Sequence, residues 1–384
     1  MKLFDHNKFQ NIRDPFFDGH YAINRKMWEI LGIWPEQKLS ARIKIQIMHV
    51  LITISVAIPE IVYFVEICDD LDLVAQCIPT FLVIIAAGIK FFTMGLNSEL
   101  FLSVFNSVRA DWITYGKSFA QETLYLYANK GYDGTLIYTA AISMATTTFL
   151  ILPIVPVFLD AIDPLNETRE TFPIFETDYG VDREKYIIPI TLHAYLTTVQ
   201  VIGLVISVDT VVLLLVQHCC SLFQIVELIL DRLKDESKKD LEDFQYKTIC
   251  DAIELHKHAI NFADILDSTF SKMYGAIVIM NTLAISFTGF ETVVLLERKE
   301  YEQSLRFVLY ALGQIAHLFL NSMPGQELMD HSEKVFYIIY NSNWTALTAK
   351  SRKLIALSLM RTLKPCTFAA GGFYVMNMQN FASV

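Results

Sequence analysis

The residues that could do chemistry are few and scattered. His256 and His258, in ICDAIELHKHAINFADILDSTF, come nearest to a metal grip. Residues two apart on a helix point to different faces, so the pair cannot close on one ion. The six cysteines show neither a C-x-x-C pair nor a zinc spacing that would add ligands. No Gly-rich phosphate loop, serine nucleophile elbow or His-Glu-x-x-His helix occurs. No Lys/Arg stripe interleaved with aromatics points to nucleic acid. Clustered acids or histidines, which a membrane enzyme would need near one face, are missing too. An enzyme, a metal site and a cofactor are therefore not expected. A second group is more telling: Glu60, Lys90, His193 and His317 fall inside long apolar runs. Ionisable residues in such runs are functional suspects. Lys90 lies near the inner end of its run and can snorkel. The other three are sparse and irregularly spaced, which argues against a proton relay.

The elements that hold these residues are membrane helices. Of 384 residues, 53% are hydrophobic and 19% charged, too little charge for a typical soluble domain of this size. The apolar residues gather in six blocks: Ile45–Val65, Cys77–Leu96, Thr135–Phe158, Ile187–Val208, Met273–Leu296 and Leu305–Met323. Each runs to about 20 residues, the length of a spanning helix, and in lipid such blocks must be helical. The N-terminal MKLFDHNKFQNIRDPFFDGH is polar and is not a cleavable signal peptide. Cys68 and Cys77 flank the first short loop and could pair; free thiols are the favoured reading.

Orientation follows from the basic residues. Between the spans, alternate segments carry 24 Lys and Arg on one side and 5 on the other, with Lys90 and Arg306 inside spans. Basic residues gather on the cytoplasmic side, which places the N-terminus there. The Asn166-Glu167-Thr168 glycosylation sequon then lies outside and Asn343-Trp344-Thr345 inside. That topology is the reverse of a G-protein-coupled receptor, and no Asp-Arg-Tyr ends the third span.

Two further patterns bear on function. The outer halves of the spans mix aromatic and aliphatic side chains with scattered polar ones. They include Phe81, Ile84, Ile85 and Gly88 in span two, and Thr147, Thr148, Phe149 and Leu152 in span three. Span four adds His193, Tyr195 and Thr197, and span six adds Phe307, Tyr310 and Gln314. Such a mixture suits a small apolar ligand held by shape and one or two hydrogen bonds, and it equally suits helix packing. The inner segments carry apolar stripes: Leu222, Ile225, Val226, Ile229 and Leu233 below span four; Ile249, Ile253, His256, Ile260, Ala263 and Leu266 before span five; Leu347, Leu354, Leu357 and Arg361 after span six. These stripes must pack on something, either within one subunit or between subunits.

The last third of the chain carries a resemblance. His331-Ser332-Glu333-Lys334-Val335 through Tyr340 and Trp344 looks like the link after the sixth helix of the insect odorant receptors. SRKLIALSLMRTLKPCTFAAGGFY, Ser351 to Tyr374, is similar to their C-terminal signature, with Arg361, Pro365, Gly371 and Phe373 at its landmarks. Cys250, His256, Ile260 and Phe270 fit the pattern before the fifth helix. The resemblance implies a ligand-gated cation channel subunit in the plasma membrane, in the dendrite of an olfactory sensory neuron. It implies a small volatile odorant held between helices two, three, four and six in the outer half of the bilayer. It also implies a heterotetramer with a co-receptor, held by a cytoplasmic anchor to which His256, Trp344, Arg361, Pro365, Gly371 and Phe373 would belong. The chain resembles a tuning receptor, because it lacks the co-receptor's long second cytoplasmic loop.

The expected fold class is all-α: a polytopic helical membrane protein with six complete transmembrane helices, a truncated seventh and a helical cytoplasmic anchor region. The expected divisions are a cytoplasmic segment 1–44, helices one to four over 45–216, a cytoplasmic extension 217–272, helices five and six over 273–323, the anchor segment 324–372, and the start of helix seven at 373–384. In the family that last helix continues and lines the pore; here twelve residues from Phe373 would cover only about 18 Å of a roughly 30 Å bilayer core. Rival readings are a truncated, non-conducting subunit of the same family and a six-helix transporter, which would show internal repeats.

Overall fold

The computed structural model describes residues 14–163, 169, 173–183, 185–234 and 241–383. Asn166 lies outside them. The chain begins with two short helices, α1 (Pro15–Asp18) and α2 (Ala22–Ile30). Asp14 caps α1 by accepting from the Phe16 amide at 2.9 Å, with Pro15 pre-set for the first turn. These helices carry an aromatic wedge, Phe16, Tyr21 and Trp28, into the core; Trp34 follows, and the Trp28 indole donates to the Ser207 carbonyl at 3.0 Å.

Long helices follow. They are α3 (Leu39–Glu66) and α4 (Leu71–Leu96), the shorter α5 (Ser98–Tyr115), then α6 (Gln121–Ile151), which continues through a 3-10 turn at Leu152–Ile154 into α7 (Val155–Ile162). The 45-residue α8 (Ile187–Asp231), the 57-residue α9 (Leu241–Glu297) and the 40-residue α10 (Tyr301–Tyr340) complete the bundle. Five of the predicted spans lie in helices long and apolar enough to cross a membrane. The sixth, Leu305–Met323, lies within α10. Helix α8 is central: 72% of its most apolar window is buried, against 17–44% for the other four. One end of the bundle, termed proximal, carries α1, α2 and α5, and the other, distal, carries the α3–α4 and α9–α10 turns.

The apolar stripes below span four and before span five close on each other within this one chain. Leu222, Ile225, Val226 and Ile229 on α8, and Ile249, Ala263 and Leu266 on α9, are all buried in a single continuous core. Helix α11 (Ala349–Thr362) adds Ile355 to that core but leaves Leu357 and Met360 exposed.

The C-terminal stretch departs from the sequence expectation. No helix opens at Phe373. Gly371 and Gly372 adopt φ of +64° and +76°, a left-handed conformation that glycine enters without penalty. They turn the chain so that β1 (Ala369–Ala370) pairs antiparallel with β2 (Tyr374–Val375), with Phe373 exposed in the loop. Only then does Asn377 cap the short α12 (Met378–Phe381) by accepting from the Asn380 amide. The hairpin docks where the Gly371 amide donates to the Ser271 carbonyl at 2.7 Å; a Cβ on Gly275 would come within 2.7 Å of the Gly371 Cα. All six cysteines are free.

Candidate functional site

A cavity of about 140 Å³ lies in the distal half of the bundle, among α4, α6, α8, α9 and α10. Its walls are apolar: Val83, Ile84 and Ala86 from α4, Ile142, Ala145 and Phe149 from α6, Val201, Ile202 and Val205 from α8. Gly313 on α10 contributes bare backbone, and a Cβ there would approach only the Ala145 Cβ, at 3.9 Å.

The segment 173–183 closes the distal side. Phe175 lines the cavity. The segment is tied down at three points: Arg306 Nη2 donates to the Ile174 carbonyl (3.3 Å), the Asp178 amide to the Pro59 carbonyl (3.0 Å), and the Tyr179 hydroxyl meets His193 Nδ1 (2.8 Å). Arg306 also lies 5.5 Å above the centre of the Phe149 ring, a cation–π contact that fixes that wall.

The base of the cavity is polar. Lys90, Asn281 and His317 line it. Lys90 does not snorkel, contrary to the expectation from sequence. Its side chain is fully buried and its Nζ sits 2.5 Å from both carboxylate oxygens of Asp209. Bundle helices cover α4 at this depth and leave the side chain buried, and a buried ammonium requires a paired, hydrogen-bonded partner. Asp209 is that partner. It also accepts from Tyr138 (2.5 Å), His317 (3.0 Å) and Tyr274 (3.1 Å). Asn281 Nδ2 donates to His317 Nδ1 at 3.0 Å. Both ring nitrogens of this histidine are thus engaged within the cluster, Nε2 with Asp209 and Nδ1 with Asn281. Five helices thus meet in one buried polar cluster directly beneath the cavity. His317 was singled out from sequence; Asp209 was not, because it stands where the apolar run breaks and reads as the first residue beyond a span.

Of the residues proposed from sequence to hold a ligand, Ile84, Phe149, Tyr310 and Gln314 line the cavity. The other ten are placed around it. Phe81 stacks on Phe64, and His193 bridges Ser55 and Tyr179. The Tyr195 hydroxyl donates to the Leu150 carbonyl and Thr197 to that of His193. Thr147 and Thr148 are exposed, each donating to a carbonyl of its own helix, and Leu152 opens the 3-10 turn. Phe307 is buried beside Arg306; Ile85 and Gly88 are half-buried on α4. The additional lining residues Thr80, Thr146 and Thr198 were legible only as ordinary helix threonines.

The proximal region contains a second cluster. Asp111 on α5 lies 2.9 Å from His218 on α8 and 3.0 Å from His258 on α9. Burial pushes the Asp111 carboxyl up, but the hydrogen bonds from the two histidines outweigh it and hold it below its ordinary range. The Asp111 bond in turn holds the His258 imidazole above its ordinary value, against burial. His256 faces elsewhere, edge-on to the Phe223 ring at 5.9 Å; burial, with the Arg361 charge, pushes it down to about 4. Among the described residues no group of three or more His, Cys, Asp or Glu could hold a metal ion. The remaining anchor candidates lie around α11 and the hairpin: Trp344 half-buried in the turn before α11, Arg361 exposed with its Nη1 donating to the Lys364 carbonyl (3.0 Å), Pro365 half-buried, and Gly371 and Phe373 in the hairpin loop.

Comparison with known proteins agrees with this architecture. Residues 72–384 match the family model described as 7tm Odorant receptor. The chain is 20% identical over 252 residues to odorant receptor 9a of Drosophila melanogaster and 21% identical over 261 residues to odorant receptor 13a of the same organism. Each alignment covers 65% of this chain and 62% of the relative, so the chain matches under two thirds of their length. The insect olfactory receptor OR5 from Machilis hrabei in complex with eugenol superposes with a TM-score of 0.76 at 14% identity, over 94% of this chain and 93% of that one. A second structure of that receptor superposes with a TM-score of 0.72 over the same shares. At that identity these two structures speak to fold alone. From the family match over four fifths of its length and the helical bundle it forms, this chain belongs to the seven-transmembrane odorant receptor family.

Proposed function

We propose that the chain is an odorant-binding subunit of a ligand-gated cation channel, taking a small volatile molecule into the distal cavity. The observation that carries this reading is the mostly apolar cavity between α4, α6, α8, α9 and α10, lined by Phe175 on its distal side and floored by Asn281 and His317. Its volume of about 140 Å³ compares with the ~150 Å³ apolar cavity that admits benzene. A ligand of roughly six to eight non-hydrogen atoms fits. A fold neighbour was solved in complex with eugenol.

The excess of Lys and Arg on the proximal segments makes that end cytoplasmic, so the cavity lies in the outer half of the bilayer. Channel activity would arise with a co-receptor in a heterotetramer, with this chain as the tuning subunit in the plasma membrane of an olfactory neuron dendrite. The exposed Leu357, Met360 and Phe373 on α11 and the hairpin suit the cytoplasmic contact between subunits. Ligand binding shifts a closed–open equilibrium only by its differential affinity for the two states.

The test is odour-evoked current in cells expressing the chain with a co-receptor, against Gly313→Val. That substitution places a side chain in the cavity without a backbone clash. The reading expects currents only on co-expression, and sensitivity at least tenfold lower for the variant at equal surface level. Unchanged sensitivity in the variant, or tracer uptake without current, would overturn it.

A further inference from the structure

We infer that the cavity selects ligands carrying a hydrogen-bond donor, alcohols or phenols, over shape-matched ketones, aldehydes and ethers. The inference rests on the proposed ligand-binding role of the cavity and concerns the chemistry it would recognise.

The argument is an account of hydrogens. Four hydroxyl groups line the cavity, and each has already spent its only hydrogen on the protein. Thr80 donates to Glu60 Oε1 (2.8 Å), Thr146 to the Ile142 carbonyl (2.8 Å), Thr198 to the Ala194 carbonyl (2.8 Å) and Tyr310 to the Pro79 carbonyl (2.7 Å). Toward the cavity these oxygens can now only accept. The floor follows the same pattern. Lys90 directs two of its hydrogens at Asp209, and both nitrogens of His317 are occupied, one by Asp209 and the other by Asn281. Gln314 reaches the Tyr310 hydroxyl.

What remains for a ligand is lopsided. The hydrogens left over are one on the Asn281 amide, one on Gln314 and the third of the Lys90 ammonium. The open acceptors are the three threonine oxygens and the two carboxamide oxygens of Asn281 and Gln314. The Asn281 oxygen accepts no hydrogen bond from the described residues. A ligand that only accepts finds three hydrogens, whereas a hydroxyl can give its own to any of five oxygens and still accept one. A ligand hydroxyl left unpaired in an apolar site loses its hydration without return, so the surplus of acceptors decides which molecules stay. Polar complementarity of this kind discriminates more strongly than a missing methylene does.

The experiment measures binding of matched pairs, benzyl alcohol against benzaldehyde and phenol against anisole, to the full chain in nanodiscs by tryptophan fluorescence or ligand-induced stabilisation. Each alcohol or phenol should bind roughly tenfold tighter than its partner, the value of about one hydrogen bond. Asn281→Leu removes one of three free hydrogens and one of five acceptors, so the alcohol or phenol should stay the tighter-binding member of each pair in that variant. Equal affinities, or a preference for benzaldehyde and anisole, would overturn the inference and leave the cavity as the ligand site. Failure of every member of both pairs to bind would overturn the ligand-site reading and this inference with it. Should Asn281→Leu fail to fold, the wild-type ratio alone decides.

Discussion

Lys90 and Asp209 supply the most demanding test of the structure, because sequence reasoning would leave Lys90 free to reach water. Both side chains are buried, and they meet at 2.5 Å. Removing one member of a buried pair leaves an uncompensated charge at a cost of about 3–5 kcal/mol. The surroundings predict which removal is worse. After Lys90→Met, Asp209 keeps Tyr138, His317 and Tyr274 as donors, so the cost should fall near 3 kcal/mol. After Asp209→Leu, Lys90 keeps His317 at 3.4 Å and the Tyr274 ring centre at 5.9 Å, and the Tyr138 and Tyr274 hydroxyls lose their shared acceptor. The cost should reach roughly 5 kcal/mol or more. The double variant removes both charges and leaves the stranded hydroxyls. It should therefore cost no more than about 5 kcal/mol, well below the summed singles, a coupling of roughly 3 kcal/mol. SDS-driven unfolding in mixed micelles, followed by the fluorescence of the buried Trp28, Trp34 and Trp112, measures all four proteins. A Lys90→Met variant as stable as wild type, with strictly additive effects, would refute the pairing and restore the snorkelling lysine.

Three further outcomes are expected. His256 is held at about 4 by burial, below its ordinary value of about 6.5; the unfolded chain takes up the proton first. Its contribution is complete above pH 6.5 and is lost as pH falls through 4, so wild type should lose roughly 3 kcal/mol more than His256→Phe between pH 7 and pH 4; identical pH profiles would contradict this. Gly275→Ala, whose Cβ would meet the Gly371 backbone at 2.7 Å, should destabilise by about 1–3 kcal/mol, whereas Gly289→Ala, with nothing within 4 Å, should not destabilise; equal effects would refute the hairpin docking. On the proposed topology, glycosidase treatment should shift wild type on a gel but not Asn166→Gln, and a shift that instead disappears with Asn343→Gln would invert the topology.

The long apolar runs were legible because a spanning helix writes its length and hydropathy into consecutive residues. Ile84, Phe149, Tyr310 and Gln314 were reachable because they sit in the distal halves of such runs. Less was legible where a contact joins distant segments. Nothing local to Lys90 or Asp209, 119 residues apart, says that they touch. The break of the apolar run at Asp209 mimics the end of a span, although α8 continues for another 22 residues. The aromatic wedge of Phe16, Tyr21, Trp28 and Trp34 is interleaved with Arg25, Lys26 and Glu29, so no window of sequence is apolar enough to mark it as core. At the C-terminus the apolar pattern after Phe373 suggested a helix, but the paired positive φ values of Gly371 and Gly372 made a hairpin first. Glycine pairs leave that choice to packing, here against Gly275.

The central claim is that the distal cavity is where a small odorant sits. The most direct measurement is a cryo-EM structure of the chain in nanodiscs with benzyl alcohol at saturating concentration. Ligand density between Phe149 and His317, with the hydroxyl facing Asn281, is the predicted result. Saturable binding with an empty cavity and density instead in the lipid-facing groove beside Phe92 and Lys272 would contradict it.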